Sequence, residues 1–196
     1  VNLGMSYIQV GRFAEAEDAF KRALEMRTAL LGPDHPFTAS VHYALGCMNS
    51  DLGRFDRAEL AFRKCLANYE KAFGPDNAWV ASPLACLGVL YCRQGRDAES
   101  LRFNRRALAI YEKQLGPEHP DVALSLNNIA CSLVAMKRYD EAEPLIKRAL
   151  AVREKAFGAE LPQVAITLQN LGELQLEQGR PGAAEPYLRR ALKIRE

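Results

Sequence analysis

An all-α fold, a solenoid of antiparallel helix pairs with about ten helices, follows from three observations. Gly11-Arg12, Gly53-Arg54, Gly95-Arg96, Lys137-Arg138 and Gly179-Arg180 recur at a spacing of 42 residues. A second turn series, Gly32-Pro33-Asp34, Gly74-Pro75-Asp76, Gly116-Pro117-Glu118 and Gly158-Ala159-Glu160, is interleaved with the first at the same spacing. The segments between the turns carry apolar residues at helical rather than strand spacing. Two turn series imply two helices per repeat, and the array divides at approximately 1–31, 32–73, 74–115, 116–157 and 158–196 within one domain.

In the first helix of each pair, Val41, Ala44, Leu45 and Met48, or Val122, Leu126, Ile129 and Leu133, form one buried stripe. Leu3-Gly4, Leu45-Gly46, Leu87-Gly88, Ile129-Ala130 and Leu171-Gly172 place a small residue in that helix, so that its partner approaches closely. The second helix repeats Ala16, Ala58, Ser100, Ala142 and Ala184, then Phe20, Phe62, Asn104, Ile146 and Leu188. A third set, Ala23, Cys65, Ala107, Ala149 and Ala191, completes the same face together with the leucines that follow it. Basic pairs from Lys21-Arg22 to Arg189-Arg190 recur on the other face, which reads as solvated surface rather than a docking strip. Asp56 and Asp140 are expected to cap second helices, and Gly32, Gly74, Gly116 and Gly158 to end them as left-handed terminators. Pro36 and Pro120 suit the first turn of a helix, and Pro144 and Pro186 come early enough to be mild. Pro83, four residues after Trp79, requires its helix to start late or to lose a backbone bond.

Composition excludes several classes of partner. The 26 Lys and Arg are interleaved with 24 Asp and Glu, which leaves no basic patch for nucleic acid or an anionic membrane. No apolar run approaches the ~18 residues of a membrane span, and no signal peptide is evident, so a cytoplasmic location is expected. Cys47, Cys65, Cys86, Cys92 and Cys131 are odd in number, lack a CxxC spacing and lie in helical patterns, as buried or groove-lining thiols do. Cys86 and Cys92, six residues apart in one helix, are poorly placed to pair with each other. Neither a disulfide framework nor a metal site is expected.

The three histidines give no catalytic constellation. His35 and His119 precede prolines in turns and suit local capping, and His42 has no Cys or Asp series beside it. No Gly-rich phosphate loop follows a strand, so neither an enzyme nor a cofactor is expected.

Small-Leu-Gly in one helix and Ala, a large residue, then Ala-Leu in the next resemble the tetratricopeptide repeat. The wording LGPEHPDVALSLNNIA…YDEAEPLIKRALAVREKAFG is similar to the kinesin light chain subtype, across all five copies. The resemblance implies a right-handed superhelix whose first helices line a concave groove for a protein or peptide partner. It places Ser40, Tyr43, Cys47, Ser50 and Asp51 inward from the second repeat, and Ser82, Ala85, Val89, Cys92 and Arg93 from the third. Leu124, Asn127, Cys131, Val134 and Ala135 follow from the fourth, and Ile166, Gln169, Glu173, Leu176 and Glu177 from the fifth. Asn127 and Gln169 are the favoured peptide contacts, because an amide offers both donor and acceptor to a peptide backbone. Tyr43 and Ala85 interrupt the amide series of that family, and Arg93 is the single cation among these positions. A clamp for a C-terminal carboxylate is not expected, since Tyr43, Cys47, Ala85, Val89, Asn127 and Cys131 stand where it needs Lys, Arg and Asn. The alternative is a structural or oligomerising array, with end-to-end association through Val1, Leu3 and Ile194. The first copy opens inside a helix and the last closes near the end of one, as expected of a piece of a longer array.

Overall fold

The structure is a computed structural model that describes all 196 residues. It contains ten α-helices and no strand. The first helices of the five pairs are α1 (Asn2–Gln9), α3 (Pro36–Asp51), α5 (Ala78–Arg93), α7 (Pro120–Ala135) and α9 (Pro162–Glu177). The second helices are α2 (Phe13–Leu31), α4 (Phe55–Phe73), α6 (Asp97–Leu115), α8 (Tyr139–Phe157) and α10 (Pro181–Arg195). The chain divides into two compact units, residues 1–90 and 91–196, with the division inside α5.

In residues 1–90, α1 packs on α2, α2 on α3 and α3 on α4. Ala16, Phe20, Val41, Ala44 and Met48 form the core there, with Val1, Tyr7, Ile8 and Leu45 against it. The reason for the small residue in each first helix is visible at Gly46, where an added Cβ would stand 2.5 Å from the Phe62 ring. In residues 91–196, α6 to α10 pack each on the next, and α7 also touches α9. One cluster there joins Leu101, Ile129, Ala130, Leu133, Ala142 and Ile146 with Leu171 and Leu174. A second cluster joins Val164, Ala165, Leu168 and Ala191, with Ile194 half-buried against it. Apolar burial is thus distributed along the joints between repeats, as in arrays whose units touch only their neighbours.

Two expectations about helix ends are corrected, and a third resolves to one of its two alternatives. Asp56 and Asp140 do not cap: Arg54 and Arg138 hold the N-cap positions without a side-chain cap bond, and the aspartates fall in the first turn, where the helix dipole favours them. Arg12, Arg96 and Arg138 instead bond Glu15, Glu99 and Glu141 three residues on. Gly32, Gly74, Gly116 and Gly158 do have positive φ, but with ψ between 158° and 163°, a glycine region distinct from the left-handed helix. Pro83, Pro144 and Pro186 are each the sixth residue of their helix, so α5 neither starts late nor differs from α8 and α10 in the bond it gives up. Pro144 and Pro186 are exposed, and Pro83 is buried.

His35 and His119 cap as expected, each accepting a backbone N–H through Nδ1, from Phe37 and Asp121 respectively. The basic outer faces are neutralised locally. Arg22 pairs with Asp18, Arg63 with Glu59 and Lys147 with Glu143 one turn away. Arg148 reaches Glu112 of α6, and Arg190 reaches Glu154 of α8.

Candidate functional site

Helical spacing gives each first helix one face toward its partner and one face free. In α7, Val122, Leu126, Ile129 and Leu133 are buried, while Leu124, Cys131 and Ala135 are exposed. In α9, Leu168 and Leu171 are buried, and Ile166, Glu173, Leu176 and Glu177 are exposed. Leu124 is 44% exposed and Ile166 48%, so this face presents aliphatic surface.

Asn127 lies almost under this face, 7% exposed, and its Oδ1 accepts from Nδ2 of Asn170 at 2.9 Å. Its acceptor is therefore engaged by one donor, and its own Nδ2 is the group that can donate to a ligand. Gln169 is half-buried; its Nε2 donates to Glu173 at 2.6 Å, and its Oε1 accepts from Arg195 at 2.6 Å. Cys131 sits among Cys92, Glu173 and Arg153. Arg93 is exposed at the end of α5.

Reading the first helices alone misses Arg153. This α8 side chain is only 7% exposed, and its Nη1 donates to the carbonyl of Gln163 at 3.0 Å and to Oγ1 of Thr167 at 2.6 Å. Burial pulls its pKa down from the usual guanidinium range, and Cys131 opposes that. A guanidinium keeps its proton in such surroundings, so the site holds a cation whose bonds go to neutral oxygens. Arg27, Arg153 and Arg195 occupy the same position of the repeat, and Arg27 likewise bonds the carbonyl of Phe37 and, at 2.9 Å, Oγ of Ser40. That recurrence is present in the sequence and is the signal that would have found them.

In residues 1–90 the corresponding face is rich in thiols. Ser40, Tyr43, Cys47 and Ser50 are half-buried on α3, as is Ser82 on α5, where Val89 is exposed and Ala85, an inward position by resemblance, is buried. Cys86 donates from Sγ to the Tyr43 hydroxyl at 3.4 Å. No cluster of three or more His, Cys, Asp and Glu side chains is arranged to hold a metal ion. No helix is long and apolar enough to cross a membrane. An open cleft at the α7–α8 and α9–α10 turns is lined by Arg138, Tyr139, Glu141, Glu177 and Arg180, with Arg138 and Glu141 already paired.

The tetratricopeptide repeat family matches at residues 1–71, 76–155 and 132–196. No curated protein matches the chain at a significant level. Among solved structures, BtubC (BKLC) from P. vanneervenii is similar with a TM-score of 0.87 at 22% identity, over 98% of this chain and 77% of that one. A Podosopora anserina protein described as a kinesin light chain with nearly identical TPR-like repeats gives 0.81 at 21%, over 99% and 92%. PilW, a type IV pilus biogenesis factor, gives 0.76 at 21%, over 98% and 74%. At these identities the likeness is one of fold.

Proposed function

Because the chain belongs to the tetratricopeptide repeat family, whose arrays are typically protein–protein interaction modules and generally non-catalytic scaffolds, we propose that it is an adaptor that captures an extended segment of a partner protein on the free faces of its first helices. The observation that carries this reading is the contrast between faces. Leu124, Ile166 and Leu176 are left bare beside Asn127 and Gln169, while Lys147 and Arg148 on the outer face of α8 are paired with Glu143 and Glu112. Aliphatic surface of this kind takes apolar side chains, and the remaining Asn127 donor takes a backbone carbonyl. Arg153 and Arg195 add guanidiniums whose bonds go to neutral oxygens, which favours an acidic side chain in the captured segment. The repeat wording that resembles the kinesin light chain subtype makes a short linear segment of cargo type the proposed ligand.

The test is a peptide-array screen with the whole chain, repeated with the Asn127→Ala, Gln169→Ala double variant. Peptides retained by the wild type and lost at least tenfold by the variant are the expected result. Retention that ignores both substitutions would remove the first-helix face from consideration. A second reading, end-to-end association, rests on Leu3 at 60% and Leu192 at 59% exposure. Val1 and Ile194, by contrast, are partly buried in their own cores. Sedimentation of Leu3→Glu against wild type decides it: a mass that falls to the monomer supports association, and an unchanged monomer rejects it.

A further inference from the structure

The thiols of residues 1–90 are not accounted for by partner capture. Cys86 on α5 meets α3 between two residues one helical turn apart, Tyr43 and Cys47. Its Sγ is 3.4 Å from the Tyr43 hydroxyl, and it shares a hydrogen bond with the Cys47 thiol. Both cysteines are partly accessible, whereas the third thiol nearby, Cys65, is fully buried. We propose that Cys47 and Cys86 form a redox modification site, which a small disulfide of the glutathione class closes into a bond joining α3 to α5.

The chemistry divides between the two sulfurs. Hydrogen bonding from Cys47, reinforced by Tyr43, holds the Cys86 thiol below its ordinary value, while the Cys47 thiol is held above it. Cys86, with the Tyr43 hydroxyl 3.4 Å from its sulfur and the Cys47 thiol beside it as two donors to a thiolate, is therefore the attacking thiolate and Cys47 the resolving thiol. Cys86 Sγ attacks one sulfur of glutathione disulfide; a mixed disulfide forms, and one glutathione leaves as thiolate and takes up a proton. Cys47 then gives up its proton, attacks Cys86 Sγ and expels the second glutathione. Two protein thiols are oxidised, and one disulfide is reduced to two thiols. Cys65 stands aside, since burial pushes its thiol up to about 12. The new bond replaces the Cys86–Tyr43 hydrogen bond, fixes Cys47 in place and leaves the Tyr43 hydroxyl without that partner; only an effect on partner capture depends on the adaptor reading.

The experiment equilibrates the intact, fully reduced chain in glutathione buffers of rising oxidised fraction, blocks free thiols and maps the bonds by peptide mass. The expected result is one reversible intramolecular bond, Cys47–Cys86, with Cys65 free and no glutathione retained. Cys47→Ser should trap glutathione on Cys86, and Cys86→Ser should leave Cys47 unmodified. Free thiols at both positions in the most oxidising buffer, in a chain with native circular dichroism, would overturn the proposal. A bond from Cys86 to Cys65 or Cys92 would do the same, as would glutathione on Cys47 in Cys86→Ser. Failure of peptide capture by the reduced chain would sink the adaptor reading and leave this outcome untouched.

Discussion

Lys137 carries a side chain at φ 58°, in a turn position where Gly11, Gly53, Gly95 and Gly179 stand at φ between 69° and 74°. The left-handed region costs a side-chain-bearing residue roughly 1 kcal/mol relative to glycine, so Lys137→Gly should stabilise the chain by up to about that amount in urea unfolding. A loss of stability would show that the lysine makes an offsetting contact. Gly116 shows the opposite case. At φ 88° and ψ 158° it occupies a region essentially closed to other residues, although no atom stands near enough to clash with an added Cβ. Gly116→Ala should therefore cost about 1–3 kcal/mol from backbone conformation alone, and an unchanged urea midpoint would contradict the assignment. His42 adds a pH dependence. Burial lowers its pKa from the ordinary value, and Lys64 lowers it further. The unfolded chain then binds this proton more tightly than the native one, so stability is constant above the unfolded pKa of about 6.5 and falls as pH drops below it. The melting temperature should decline between pH 7.5 and 5.5 in the wild type and decline less in His42→Gln; equal declines would rule His42 out as the cause.

Between residue and array stands the helix pair, and its crossing distance is set at one contact. A Cβ on Gly46 would lie 2.5 Å from the Phe62 ring, which is 2% exposed and has no room to withdraw. At Gly172 the corresponding atom would meet Cγ and Cδ2 of Leu188 at 2.6 Å, but Leu188 is half-buried and can turn about χ1 to another rotamer. Alanine gains about 1 kcal/mol of helix propensity at either site, so the two substitutions should part company. Gly46→Ala should be net destabilising by about 1–2 kcal/mol, whereas Gly172→Ala should be near neutral, as read by thermal melting. Equal effects would mean that ring packing does not fix the crossing. These pairs were legible in sequence because glycine, the large residue and the turns recur in strict register, and so were the histidine caps. What sequence left out are partners that depend on distance between elements. Asn170 takes up the acceptor of Asn127 across two helices. Arg153 arrives beneath the α7–α9 face from a second helix, and Arg54 leaves its own turn for Glu17 of α2. Helical periodicity assigns a residue to a face; it does not say which side chain from the next element already occupies it.

At the scale of the whole molecule, an array whose repeats bury apolar surface only against neighbours is as stable as its joints, and one joint is built differently. Phe20, Phe62, Ile146 and Leu188 fill one repeat position, and Asn104 stands there in the third repeat, fully buried. Its Nδ2 donates to Oγ of Ser100 at 3.2 Å, and Ser100 in turn shares a hydrogen bond of 2.7 Å with Ser132 of α7. The Asn104 Oδ1 and the Asp97 Oδ1 have no protein partner. A buried acceptor left unpaired costs about 1–3 kcal/mol, and the apolar side chain used elsewhere would contribute about 1.5–3 kcal/mol on burial. The α6–α7 joint is therefore weaker than its repeat equivalent, the α8–α9 joint, where Ile146 shares an apolar cluster with Leu171 and Leu174. Native-state hydrogen exchange should find the amides of α6 opening at lower free energy than those of α8. Asn104→Ile should raise the α6 values by about 1–3 kcal/mol, because Ser100 and Ser132 keep their mutual bond when the amide is removed. Protection of α6 equal to that of α8 in the wild type, or a destabilised Asn104→Ile, would show instead that the polar joint holds as firmly as the apolar ones and that Asn104 is satisfied by solvent within the array.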